Sequence, residues 1–523
     1  MLARERYNQL VTDRRQFLDK AVDCSELTLP YLIQDDTTSK PTHETLRIPW
    51  QSVGSKCVVG LAAKLMLAIL PPQGTFFKFQ VREDKIGEDL PPEAMSEMEL
   101  SLSKMERMVM DYIAASNDRV VIHQALKHLI VGGNALLFMG KDGIKNYPLN
   151  RYVVNRDGNG NVLEIVTKEL INRDVLGFDL PKKEPNTVVD KTNGNHTDDV
   201  EVYTCVKLDN GRWVWYQEVE DMIIPGSRST APKNASPWLV LTFNSVDGEQ
   251  YGRGRVEEFL GDLKSLEGLS QALVEGAAAA SKVIFLVSPS STTKPATIAK
   301  AGNGAIVQGR AEDVQVVQVG KTADFSTAAQ MSQTIERRLL EAFLVMNVRN
   351  AERVTAEEVR LTQLELEQQL GGIFSLLTTS FLIPYLDRTL LVLQRTNELP
   401  KLPKDIVRPT IVAGVNALGR GQDREALTMF MGTIAQTVGP EIMMKFINPL
   451  EAIKRLAAAQ GIDVLNLVKT PEQVMDDKEQ MMQEQQQATL LQQAGQFANS
   501  KLADTENLQG MMPGGQEQPP QPE

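Results

Sequence analysis

Apolar residues spaced three and four apart dominate two stretches of the chain. In the first, Leu260, Leu263, Leu266, Leu269 and Leu273 share one helix face. In the second, Ala328, Met331, Ile335, Leu339, Ala342 and Met346 repeat the spacing, with Glu336, Arg337, Arg338 and Glu341 turned elsewhere. A short β-rich excursion lies between them, so residues 255–346 are predicted to form a helix, an excursion and a returning helix, together a stalk. Gly261 and Gly268 lie a heptad apart and Gly276 follows. Each costs roughly 1 kcal/mol against Ala in a helix interior, so their repetition predicts close approach by a neighbouring helix.

Before the stalk, residues 2–24 read as an amphipathic helix that Pro30 ends. The run PWQSVGSKCVVGLAAKLMLAILPP has Pro49 near its start, Pro71 and Pro72 at its stop, and Val53, Cys57, Leu61, Leu65 and Ala68 on one side, as a core helix would. FFKFQV at 76–81 alternates like a strand. A long helix opens at Pro91 and passes through Met95, Met98, Leu102, Met105, Val109 and Tyr112, and another covers 118–131. After Gly132 and Gly133 the period becomes strand-like. Residues 135–139 suit a buried strand, RYVVNRD and NVLEIVTK flank a Gly-Asn-Gly turn, and EVYTCVKL and WVWYQEV flank a turn at Asp209, Asn210 and Gly211. These hairpins predict a small antiparallel sheet or barrel, to which PWLVLTFN at 237–244 adds one more strand. Residues 182–199 are polar and read as an exposed loop.

Beyond the stalk, 347–354 is too polar and irregular to extend the helix, and this loop carries Arg349 and Arg353. Thr355 and Glu358 form a capping box for a new helix, with Val359, Leu366, Leu370 and Ile373 facing inward. Helical character over 373–394 ends before Pro400 and Pro403, and a further helical module covers about 422–468. Thr470 and Gln473 cap a last helix rich in Met and Gln. From about 504 the chain turns to Gly, Pro, Gln and Glu, too polar to order itself. The fold class expected is mixed α/β and helix-dominated.

Composition narrows the function. The 523 residues suffice for more than one domain, and 42% hydrophobic with 23% charged is ordinary for a globular protein. A net charge of −12 argues against binding nucleic acid through a generally basic surface, so any contact with DNA is expected to be local. Three cysteines without a CxxC pair suit a reducing compartment. The N-terminus lacks the apolar core of a signal peptide. The most apolar run, 58–70, is too short to span a bilayer and contains Lys64, so no membrane role is expected.

Catalytic chemistry finds little support. GKT at 320–322 follows the strand-like VQVVQV as a phosphate loop would, but Gln315 stands where the loop needs glycine. His123 and His128 do not share a helix face, and His43-Glu44 has no second histidine at ligand spacing, so neither metal nor cofactor is expected. There are four histidines and no GxSxG. The acidic pairs Glu257-Glu258 and Glu312-Asp313 read as solvated surface. What remains is a locally basic excursion, with Lys282, Lys294, Lys300, Arg310 and Lys321 set against Glu312, Asp313 and Asp324. This is either an ordinary charged surface or, if copies form a ring, a strong local field. A DNA-acting enzyme with GKT as a degenerate nucleotide site is the alternative reading. A third, an internal virion protein ejected into the host envelope, would need membrane helices the sequence lacks.

Five separated blocks carry a resemblance. PWQSVGSKCVVGLAAKLMLAILPP, YVVNRDGNGNVLEIVTKE, DGEQYGRGRVEEFLGDLKSLEGL, ERVTAEEVR and LGRGQD occur in the order found in the portal, or head-to-tail connector, proteins of short-tailed podophages of the autographivirus type. The chain resembles that family from near its N-terminus to about residue 470.

The resemblance implies a dodecameric ring at one capsid vertex, through which double-stranded DNA is packaged and later ejected, with no catalytic centre of its own. It implies a wing at 1–254 and 355–415, stem helices at 255–282 and 327–346, and a clip at 283–326. It also implies a tunnel loop at 347–354, a helical crown at 416–470 and a Gln-rich tail at 471–523. Lys294, Lys300, Arg310 and Lys321 would belong to the clip, which docks the terminase packaging motor and then the tail adaptor. Major capsid, scaffolding and internal core proteins are the other implied partners, in the virion and, during assembly, in the host cytoplasm. Arg353, then Arg349, with Asn347 and Asn350, would contact DNA from the tunnel loop. The residues alone also allow Arg353 to pair with Glu357 one turn into the following helix. An acidic wall suits a duplex that must slide, since it does not grip phosphates.

Overall fold

The computed structural model describes residues 2–35, 46–71, 75–81, 92–141, 143–176, 199–280, 284–289, 294–302, 304–308, 310, 312, 314–317, 322–345, 372–400, 407–411, 429–434 and 436–437. The chain divides into two units, Met1–Leu418 and Gly419–Glu523. In the second unit, 429–434 and 436–437 are helical.

Helix α1 (Ala3–Glu26) buries Tyr7, Leu10, Leu18, Ala21 and Cys24, a stripe at helical spacing. Arg14 falls on the same stripe and is fully buried, where its Nη1 donates to Tyr7 Oη at 2.9 Å and to the carbonyls of Tyr152 at 2.9 Å and Leu149 at 3.2 Å. The orphan amides at the start of α1 are met from far along the chain. Glu218, itself buried, accepts from the N–H of Ala3 at 2.9 Å and of Arg4 at 3.4 Å.

Helix α2 (Val53–Ile69) packs Cys57, Val58, Leu61, Leu65 and Ile69 into the main core, as its apolar stripe predicts. Strand β1 (Phe77–Val81) and helices α3 (Pro92–Ala115) and α4 (Asp118–Gly132) follow. Strands β2 (Asn134–Gly140) and β3 (Gly143–Tyr147) pair antiparallel. Next come β4 (Tyr152–Arg156), β5 (Val162–Asn172), β6 (Asp199–Asp209), β7 (Arg212–Val219), β8 (Met222–Ile223), β9 (Ser229–Pro232) and β10 (Trp238–Thr242).

The predicted hairpins are present, and β4 to β8 form one antiparallel sheet with β9 paired to β7. The β6–β7 turn places Asn210 at φ 48° and Gly211 at φ 74°, the left-handed pair that matches strand twist. At the β4–β5 turn, Asp157 Oδ1 accepts from the N–H of Asn159 at 2.9 Å and of Asn161 at 2.7 Å. The expected single sheet is corrected: β10 does not join these hairpins but pairs with β2, giving a separate sheet in the order β10-β2-β3. The reason is burial. Ala135, Leu136 and Leu137 are wholly buried, so β2 needs neighbours on both edges and cover on both faces.

After the stalk, helix α9 (Gly372–Arg395) contains a π-helical stretch, Thr378–Leu382. It is apolar enough by length and composition to cross a membrane, but Phe381, Leu382, Tyr385, Leu386, Leu390 and Leu393 are buried in the main core. Strand β13 (Val407–Ile411) returns to pair antiparallel with β1, Phe77 opposite Ile411.

Candidate functional site

The stalk begins at a brace of glycines. Gly133, at φ 71°, ends α4, and a side-chain carbon there would lie 2.3 Å from the Arg253 carbonyl carbon. Only glycine satisfies both the left-handed turn and this approach. Asn134 closes the brace: its Nδ2 donates to the Gly252 carbonyl at 2.7 Å and its Oδ1 accepts the Gly252 N–H at 2.8 Å. Arg253 is held by Glu249 at 2.6 Å and Glu257 at 2.8 Å. Together they fix the angle at which the stalk leaves the sheets.

The first stalk helix was expected to run unbroken from Arg255. It divides instead into α5 (Arg255–Glu258) and α6 (Leu260–Ala280), with Phe259 at φ −111°, ψ 13° between them. The break follows from packing. The Phe259 ring lies 5.5 Å from that of Phe343, just past the end of the returning helix, and 5.0 Å from the Arg255 guanidinium.

Helix α8 (Thr322–Ala342) returns antiparallel to α6. Arg338 donates to Asp262 at 2.7 Å, Phe343 meets Phe259 near the base, and Phe325 meets Gly276 near the far end. A side-chain carbon on Gly276 would lie 2.2 Å from the Phe325 ring. Leu263, Leu266, Ile335 and Leu339 are buried, as the stripes predict. Glu267 is buried too, and both its oxygens accept the Trp50 N–H at 3.1 Å, tying α6 to the chain ahead of α2.

The outward face of the pair is different. Gly261, Ser265, Gly268, Ala272 and Ala279 form an exposed line of small residues on α6, and nothing lies within 4 Å of a side-chain carbon placed on Gly261 or Gly268. Val274 and Met331 are each 53% exposed. Of the three stalk glycines, Gly276 serves contact within the chain, and the other two face outward.

The excursion is a two-stranded ribbon. Strands β11 (Ile284–Val287) and β12 (Val314–Val317) pair antiparallel, with the short helix α7 (Pro295–Lys300) between them. Among its described residues, Lys294, Lys300 and Arg310 are exposed and have no ion-pair partner, and Glu312 is the one carboxylate. Lys282, Lys321 and Asp313 lie outside the described residues, as do Gly320 and most of the GKT decoy. So do Arg349, Arg353, Asn347 and Asn350, the capping box at Thr355 and Glu358, and LGRGQD.

The other sequence candidates have structural explanations. Glu257 and Glu258 pair with Arg253 and Arg255 rather than with each other. His128 is buried and pushed down to about 4 by desolvation, and His123 is lowered for the same reason. Burial pushes the thiols of Cys24 and Cys57 up to about 12, so neither is a ready nucleophile. No cluster of metal-ligating side chains occurs among the described residues. Sequence reasoning missed Asp262, Glu267 and Lys64, whose roles depend on partners distant in the chain.

The comparisons with known proteins agree in direction. The chain matches the bacteriophage head to tail connecting protein family over residues 2–466. It is 40% identical to the portal protein of Enterobacteria phage T3 over 487 residues, covering 90% of this chain and 89% of that one. It is 38% identical to the portal protein of Escherichia phage T7 over 500 residues, covering 92% and 90%, and 30% identical to that of Enterobacteria phage SP6 over 491 residues, covering 91% and 92%. The neck of a native gene transfer agent particle aligns with a TM-score of 0.35 at 11% identity, over 77% of this chain and 89% of that one, below the level that establishes a shared fold.

Proposed function

This chain belongs to the bacteriophage head to tail connecting protein family, and from that premise we propose that it is the portal protein of a short-tailed phage. It is a structural component of the virion at the head-tail junction and not an enzyme. Copies assemble into a ring, a dodecamer on the family pattern, whose channel passes double-stranded DNA inward during packaging and outward at ejection. The stalk is the stem, the β11–β12 ribbon with α7 is the clip, the preceding sheets with β13 belong to the wing, and the helical module at 416–470 is the crown, ahead of the Gln-rich tail at 471–523.

The observation that carries this reading is the outward face of the α6–α8 pair. A helical hairpin that exposes Gly261, Gly268, Ala272, Val274 and Met331 leaves a face suited to close packing by another helix. A second copy supplies such a helix, in a head-to-tail contact that closes by rotation. Repetition then turns Lys294, Lys300 and Arg310 into a cationic ring, with Lys321 adjoining, suited to the packaging motor and then the tail adaptor. Arg353 and Arg349, with Asn347 and Asn350 beside them, contact phosphates within the channel. Capsid, scaffolding and internal core proteins meet the wing and crown during assembly in the host cytoplasm.

Native mass measurement of the purified chain, with end-on images of the particles, tests the proposal. A closed ring of uniform subunit number is expected. A monomer persisting at high concentration overturns it.

A further inference from the structure

The returning stem helix ends in a turn that its own sequence does not favour. Leu344 has φ 59°, a left-handed conformation disfavoured for a side chain branched beyond Cβ. Around it the Val345 N–H donates to the Leu340 carbonyl at 2.8 Å and the Leu344 N–H to the Glu341 carbonyl at 3.0 Å. This is the Schellman pattern, which usually places glycine where Leu344 stands. A non-glycine residue persists in such a conformation when its surroundings over-determine it.

Helix α2 supplies the surroundings. Its residues Cys57, Gly60 and Lys64 lie at helical spacing on one face, in register with the end of α8. Cys57 Sγ donates to the Leu339 carbonyl at 3.8 Å. Val345 packs over Gly60, where a side-chain carbon would come within 3.0 Å of it. Lys64 Nζ donates to the Leu344 carbonyl. From the other side, Arg255 Nη2 reaches the Ala342 carbonyl at 3.4 Å. Two cations thus sit at the negative end of the α8 dipole and occupy carbonyls the helix cannot satisfy itself. Partial burial draws the Lys64 ammonium below the ordinary lysine value, without another cation contributing.

We infer that Lys64 is a positioning residue: from α2 it holds the exit turn of the stem helix left-handed at Leu344, and so sets the direction in which the chain leaves toward 347–354. Its consequence for DNA rests on the channel reading of that loop. The contacts between α2 and the end of α8, with Lys64 at the turn itself, then join the wing to the channel. The lysine that interrupts an otherwise apolar run has a specific task.

Hydrogen exchange on the full chain tests this at the turn. In Lys64→Met, which keeps the length and loses the donor, the amides of 340–345 exchange about 10-fold faster, while those of β5 and β6 are unchanged. In Lys64→Met/Leu344→Gly protection returns, because glycine adopts the left-handed turn unaided. Lys64→Arg keeps a donor and stays within about 3-fold of wild type. Unchanged exchange at 340–345 in Lys64→Met overturns the inference, as does acceleration that Leu344→Gly fails to relieve or that extends equally into β5 and β6. DNA retention by particles separates the two levels: a loosened turn with normal retention leaves the positioning role standing and sinks the channel role of the loop.

Discussion

The Tyr385 hydroxyl donates to Asp118 Oδ2 at 2.6 Å, joining two helices whose contact residues are 267 positions apart. Asp118 opens α4, which carries the glycine brace at its other end, and Tyr385 follows the π-helical stretch of α9. Both are buried. Burial and the Asp118 charge hold the Tyr385 hydroxyl well above the usual tyrosine range, so it remains a donor at any working pH. Tyr385→Phe removes only the hydroxyl and leaves a buried carboxylate without that donor. A loss of about 1–3 kcal/mol is expected. Urea unfolding should show a lower midpoint with the folded spectrum unchanged.

Gly261→Ala and Gly268→Ala should separate the needs of the chain from those of the ring. Each position has open space for the added carbon within the chain, so either substitution should stabilise the isolated subunit, by up to about 1 kcal/mol. If a neighbouring helix packs there, the same changes should weaken assembly. Thermal melting of the subunit and sedimentation of the assembled species give the two readings. Gly276→Ala is the control: its added carbon meets Phe325 within the chain, so it should lower subunit stability as well.

The parts of this fold visible in the sequence are those set by local spacing. The stripes on α2, α6 and α8, the switch to strands after Gly133 and the hairpin turns all follow from periodicity and turn chemistry. What spacing does not contain is the partner of an element. Phe77–Val81 reads as a strand, but its pairing with Val407–Ile411 is set by tertiary packing. The same holds for β10, which its sequence neighbours assign to the wrong sheet, and for the break at Phe259, caused by a ring on the far helix. Among the candidate site residues, the cations of the excursion are legible as a local excess. Lys64 was read only as an argument against a membrane span, because its acceptor at Leu344 lies 280 residues away.

Stability should fall on acidification through the ordinary histidine range. Burial pushes His128 down to about 4 in the folded chain, from the 6.5 of an exposed histidine. The unfolded chain therefore binds the extra proton first as pH drops. The stabilisation is complete above about pH 6.5 and is lost as pH falls toward 4, roughly 3 kcal/mol in all. His128→Phe removes this titration. Whatever its stability at neutral pH, the variant should gain about that amount relative to wild type between pH 7 and 4. Denaturant midpoints measured across the range test it, and parallel pH profiles for the two proteins would assign the slope to other groups.

Arg353→Ala is the sharpest test of the loop that follows the stem. The contacts described for the stalk and its brace are made by other residues, so rings should form with wild-type stoichiometry and melting temperature. Loss of one cation per subunit becomes loss of a full ring of charge in the assembly. A phosphate contact contributes through counterion release, so the defect should appear in DNA handling, be largest at low ionic strength and narrow as salt rises, because the variant's salt dependence is the shallower of the two. Packaged DNA per particle, and its loss on storage at increasing salt, are the quantities to measure. Arg353→Lys should retain most of the effect if a point charge suffices and lose it if bidentate phosphate contact is required. Pairing with Glu357 makes a different prediction: Glu357→Gln would then copy Arg353→Ala, whereas a residue that meets DNA directly should tolerate the loss of that carboxylate.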